Sequence, residues 1–280
     1  MGDAVKRKPR SVRRWATVLL IALMTLGCAG RTADGLFSWR GEAIADETAR
    51  AALLAVAQKN GIGAIYQEAD ADEAFAAFCI EAEAQGVQTF LLVGQPKWAL
   101  DASGTRQCEA VERAAALGAD GVVLDVEPYL LNEWDTDRAA LVESWICGTV
   151  AAKRLCEQKN LLLIVCVPYY LEDRIDAAQY ERLVGDGCDA LAVMNYYRKN
   201  EAAHLKYEAE LCERFRKTLI PIYELQPPGT HGLQAVNTYY GERDETLEQS
   251  REAIRAAYGR QALAFALHDY DALRERNEDE

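Results

Sequence analysis

The 280-residue chain predicts an α/β fold, a single (β/α)8 TIM barrel. Eight short apolar runs alternate with Ala-, Glu- and Arg-rich helical stretches over about 250 residues, the size of one such barrel. The apolar runs are mostly continuous, as expected when parallel strands are buried on both faces. A doubly wound sheet usually needs fewer strands or carries a glycine-rich phosphate turn, and no G-x-G-x-x-G occurs in this chain.

The elements follow in order. GLFSW at 35–39 opens the barrel and is followed by a helix at 46–59; GAIYQ at 63–67 is followed by a helix at 70–85. QTFLLV at 88–93 precedes a helix at 104–117, and GVVLDVE at 121–127 precedes one at 137–158. LLLIVCVP at 161–168, ALAVMNY at 190–196 and TLIPIYE at 218–224 alternate with helices at 175–184, 201–217 and 242–258. QALAFALH at 261–268 closes the count, with a last helix at 270–277. No low-complexity linker interrupts the series, so one domain accounts for 28–280.

Residues 1–27 stand apart from that domain. Lys6, Arg7, Lys8, Arg10, Arg13 and Arg14 form a basic segment, and the uncharged apolar run Trp15 to Gly27 is too short to span a bilayer as a stable helix. This is the pattern of a secretory signal. The run ends Met24-Thr-Leu-Gly-Cys28, which resembles a bacterial lipobox and implies lipidation at Cys28. The expectation is an exported protein, lipid-anchored in the cell envelope.

The net charge of −13 excludes a nucleic-acid partner, and the basic N-terminal segment leaves the domain more acidic still. Contact with a membrane is expected through the lipid only. Beyond Cys28 come Cys79, Cys108, Cys147, Cys156, Cys166, Cys188 and Cys212, an odd number with no C-x-x-C, and they read as small core residues. Of the three histidines, His204, His231 and His268, only His268 ends a strand, so no metal or organic cofactor is expected.

The chemistry concentrates in Asp120-Gly-Val-Val-Leu-Asp-Val-Glu-Pro-Tyr129. On an extended strand Val123, Asp125 and Glu127 share one face. Two carboxylates there are costly to bury, and a barrel does its chemistry where strands end. The bland alternative is an ion pair with Arg40 or Arg198. Trp39, Trp98, Tyr169, Tyr196, Glu224 and His268 come from the ends of other strands or the loops that follow, so they converge on the same mouth.

The strand-4 motif resembles the family 18 (chitinase-like) glycoside hydrolase signature D-G-x-D-x-D-x-E. Asp189-Ala-Leu-Ala-Val-Met-Asn-Tyr196-Tyr197 resembles that family's strand 6, which ends M-x-Y-D. The resemblance implies Glu127 as general acid, Asp125 as its partner and Tyr196 as a hydrogen-bond donor to an acetamido group. Val123, Tyr197 and His268 stand where that family carries Asp, Asp and Trp. Glu224 on strand 7 is similar in placement to the nucleophile of retaining barrel glycosidases. Trp39, Trp98, Tyr129, Tyr169 and His268 are the candidates for holding a carbohydrate, the aromatic rings by stacking. A non-catalytic surface lipoprotein that binds carbohydrate in the same cleft is the alternative.

Overall fold

The computed structural model describes residues 33–278, so the expected signal segment and Cys28 lie outside the described residues. Eight parallel strands close a barrel in chain order: β1 (Gly35–Ser38), β2 (Ala64–Gln67), β3 (Gln88–Val93), β4 (Gly121–Leu124), β5 (Leu162–Pro168), β6 (Ala190–Met194), β7 (Thr218–Glu224) and β8 (Ala266–His268). The main helices between and after them are α1 (Glu47–Lys59), α2 (Asp72–Glu83), α3 (Thr105–Leu117), α4 (Arg138–Lys159), α5 (Ala177–Gly187), α6 (Lys206–Phe215), α7 (Asp244–Tyr258) and α8 (Tyr270–Glu278).

Local chemistry sets several boundaries. The Asp46 side chain accepts from the Ala49 N–H and starts α1; Asp176 does the same for α5 through Ala178, each at 2.9 Å. Gly118 closes α3 in the left-handed conformation, where a glycine carries no Cβ penalty. The expected helix at 201–217 is broken at Leu205, whose backbone leaves the helical region, giving a short turn Glu201–His204 before α6.

The alternation of side chains builds two hydrophobic shells. Phe37, Tyr66, Phe90, Val123, Ile164, Cys166, Ile220, Ile222 and Ala266 fill the barrel interior. Their neighbours Leu36, Ile65, Leu91, Val122, Leu124, Val165, Leu219 and Leu267 point outward and pack against the helices. Two positions beyond the interior residues of β1, β4, β7 and β8 come Trp39, Asp125, Glu224 and His268, which places this ring at the C-terminal mouth.

Three expected strands run two or more residues too long. Strand 4 ends at Leu124. Asp125 still donates its N–H to Val93 at 2.9 Å, but Glu127 turns left-handed at φ 45° ahead of Pro128. Strand 6 ends at Met194, and the Asn195 side chain that follows donates to the Glu201 carbonyl at 3.0 Å. Strand 8 is reduced to Ala266–His268 plus an isolated bridge between Leu219 and Leu263.

Candidate active site

Asp125 continues the inward column of β4. Its approach to β3 is so close that a Cβ on Gly94 would stand 1.8 Å from the Asp125 carbonyl oxygen, so this position requires glycine. The Asp125 carboxyl is enclosed by protein but keeps some accessible surface at the mouth, and its Oδ1 is buried with no hydrogen-bond partner. Burial, then the negative charge of Glu127, push its pKa up to about 7, while His268 acts in the opposite direction.

Glu127 reaches the mouth by a different route from the shared strand face. Its left-handed backbone, uncommon for a residue with a side chain and disfavoured before proline, swings the carboxylate out of the strand direction. The Tyr129 hydroxyl donates to Glu127 Oε1. Strained backbone of this kind is concentrated at functional sites. Neither bland partner reaches the pair: Arg40 engages Asp271 at 3.2 Å, and Arg198 engages Glu242 at 2.5 Å and the Thr238 carbonyl at 3.0 Å.

A second group of polar residues faces Asp125 across the mouth. Trp39 Nε1 donates to His268 Nε2 at 2.9 Å. An indole N–H can only donate, so the imidazole nitrogen that accepts it is unprotonated and the ring proton sits on Nδ1. His268 Nδ1 lies 2.9 Å from Glu224 Oε2, an ion-pair contact without the alignment of a linear hydrogen bond. Glu224 is 3% exposed, and its Oε1 accepts the Gln226 N–H at 2.8 Å. Burial opposes a charged His268, but Glu224, Asp269 and Asp125 outweigh it and hold its pKa above the ordinary value. The His268–Asp269 peptide is cis. Tyr196 packs on the interior cluster 6.2 Å from the His268 ring, its phenol kept neutral by burial and by the nearby Glu224 and Asp125 charges.

The structure therefore brings Trp39, Asp125, Glu127, Tyr129, Tyr196, Glu224 and His268 together around one mouth. Trp98 and Tyr169, like Tyr129, pack against the outer hydrophobic shell, but neither is tied to the carboxyl pair by a hydrogen bond as Tyr129 is. Tyr169 belongs to an aromatic series that runs from Trp134 and Tyr129 through Tyr170 to Tyr169 and His204, with ring separations of 4.8–6.2 Å. Tyr197, in place of an acid, points to His204 with a ring separation of 5.6 Å. Cys166 was not among the expected site residues, yet it lies in the interior beneath Asp125, and both Asp125 and Glu127 act on its thiol. Its even spacing from Ile164 on strand 5 is the signal that places it inward. The seven described cysteines all carry free thiols. A cavity of about 190 Å³ lies elsewhere, between α7 and α8, lined by Leu247, Arg251, Leu267 and Arg276. It shares no residue with the mouth, where a perturbed carboxyl that keeps accessible surface stands beside a second carboxylate, unlike the fully buried Glu208.

No family model and no curated protein matches the sequence. Solved structures do resemble the chain. A class V chitinase from Nicotiana tobaccum superposes with a TM-score of 0.59 at 12% identity, over 86% of this chain and 95% of that one. A GH18 chitinase from Cycas revoluta in complex with (GlcNAc)3 gives 0.54 at 12%, over 89% and 99%. A xylose isomerase domain protein from Planctomyces limnophilus gives 0.50 at 12%, over 89% and 95%. At these identities the likeness shows the fold, a TIM barrel.

Proposed function

We propose that this chain is an exported glycoside hydrolase that cleaves an O-glycosidic bond in a polysaccharide or cell-wall glycan, with Glu127 as general acid and Asp125 as its partner. The observation that carries the reading is the Asp125 carboxyl, pushed up to about 7 beside Glu127 at the end of β4. Asp125, raised by burial and then by the negative charge of Glu127, keeps a proton up to neutrality. In this reading that proton passes through Glu127 to the glycosidic oxygen, and the Tyr129 hydroxyl, already donating to Glu127, stabilises the carboxylate that remains. The Tyr196 phenol, neutral and half-buried, donates to a substrate oxygen. Both oxygens of Glu224 are engaged, so its role is to hold His268 rather than to attack carbon. The (GlcNAc)3 carried by one structural neighbour makes N-acetylglucosamine oligomers the first substrates to try. Export and lipidation at Cys28 belong to the same reading and rest on the sequence of the first 28 residues.

The pH dependence of kcat/KM tests it. A bell with its basic limb near pH 7, lost in Asp125→Asn, is the expected result; a flat profile between pH 5 and 9 contradicts it. One observation favours a second reading, a carbohydrate-binding protein without turnover: Val123 is buried and apolar where the resembled signature has an acid. Tight glycan binding with no hydrolysis on any substrate selects that reading.

A further inference from the structure

Trp39, His268 and Glu224 form a relay that the acid pair does not use. The Trp39 ring is half-buried at the end of β1, beyond Phe37, whose ring lies nearly parallel to it at 6.5 Å and 21°. Its only polar handle, the indole N–H, is committed to His268 Nε2 at 2.9 Å, across 229 residues of chain. The other ring nitrogen faces Glu224 at 2.9 Å, and Glu224 is itself fixed by the Gln226 backbone. A carboxylate behind an imidazole selects its tautomer and orientation. Here the selected tautomer leaves Nε2 free to accept, and what it accepts is an aromatic side chain at the mouth.

We propose that His268, backed by Glu224, is a positioning residue that pins the Trp39 indole as the stacking floor for a sugar ring, and that protonation of the imidazole releases it. The ligand in this inference rests on the glycan reading above; the pinning does not. A doubly protonated imidazole has no acceptor, so its Nε2–H would oppose the indole N–H. The groups that face His268 set this balance. Glu224 from β7, Asp125 from the end of β4 and the adjoining Asp269 favour the charged ring, Tyr196 beyond β6 is a neutral phenol, and β1 presents Trp39 and the uncharged Phe37. Sugar binding is therefore strongest above the His268 titration, where the indole is held. Stacking on a fixed aromatic face and the loss of one hydrogen bond together set an effect of about tenfold.

Two measurements on the protein decide it. The Trp39 indole 1H–15N resonance, assigned by its absence in Trp39→Phe, is followed from pH 5 to 9. It should move in one step that persists in Asp125→Asn and vanishes in His268→Gln, where the amide oxygen accepts without titrating. Chitotetraose and cellotetraose binding is measured by calorimetry at pH 5.5 and pH 8, with Glu127→Gln carried in every protein so that neither sugar is cleaved. The protein with Trp39 and His268 intact should bind one of them about tenfold tighter at pH 8. His268→Gln should match the pH 8 value at both pH values, and His268→Leu and Trp39→Phe should each lose about tenfold. An indole resonance that ignores pH, or His268→Leu binding as tightly as the protein with His268 intact, overturns the inference. If neither tetrasaccharide binds the protein with Trp39 and His268 intact, the glycan floor is refuted, while the indole titration still decides whether His268 pins Trp39.

Discussion

Replacing Asp125 by Asn should stabilise the protein, increasingly so as pH rises. In the folded chain the Asp125 carboxyl is held at about 7 against an ordinary value of 3.8, first by burial and then by Glu127. A carboxyl whose folded pKa is raised stabilises the fold relative to its charged state at low pH. That contribution is fully present below about pH 4 and is lost as pH climbs through 7. The full difference corresponds to about 4 kcal/mol at ~1.36 kcal/mol per pH unit, and about 2–3 kcal/mol of it falls between pH 5 and pH 8.5. Asparagine cannot ionise and so escapes this loss, while every other titrating group is shared with wild type. For a chain of this size about 2–3 kcal/mol moves a melting midpoint by roughly 5–10 °C. Thermal melts of both proteins at pH 5, 6, 7 and 8.5 measure it. The variant's advantage should grow by that amount across the series, at the expense of turnover, since functional sites are often kept below the stability optimum. A constant difference in midpoint at all four pH values refutes the assignment of a perturbed carboxyl to Asp125.

The other predictions are independent of that one. Glu208 is fully buried between α5 and α6, its Oε1 accepting from Tyr180 at 2.9 Å, and burial pushes its pKa up to about 8. Glu208→Gln should therefore raise stability at pH 9 by about 2–4 kcal/mol without changing activity, checked by urea unfolding beside a turnover assay. Gly94→Ala would set a Cβ 1.8 Å from the Asp125 carbonyl oxygen. It should cost about 1–3 kcal/mol and lower turnover together, because the end of β4 must move; unaltered activity would show that the Asp125 position is not critical. Tyr129→Phe removes the hydroxyl that donates to Glu127 and should lower kcat by about 10- to 100-fold with little change in melting temperature.

The barrel was readable because its signal is repeated. GVVL, LLIVCVP and ALAVM are apolar runs buried on both faces, and their number and spacing leave few other folds. The site was readable in its parts rather than its geometry. Asp125 lies on the expected face because Val123 points inward and the chain is still extended. Glu127 departs from that face because its backbone turns left-handed even though Pro128 follows it, which alternation alone does not register. The link from Trp39 to His268 joins the first strand to the last, so no local pattern encodes it. Glu224 looked like an independent acid in TLIPIYE, but its partners come from β8 and its own following turn, and these occupy both of its oxygens.

Hydrolysis of a glycan panel by wild type and Glu127→Gln, run side by side, tests the central claim most directly. The panel includes N-acetylglucosamine oligomers, aryl glycosides and peptidoglycan fragments. Wild type should turn over at least one member, and Glu127→Gln should lose at least about 100-fold in kcat while binding the same sugar, the effect of removing a general acid. Turnover that survives in Glu127→Gln would contradict the assignment of Glu127. Absence of both turnover and binding in wild type would contradict a glycan site at this mouth.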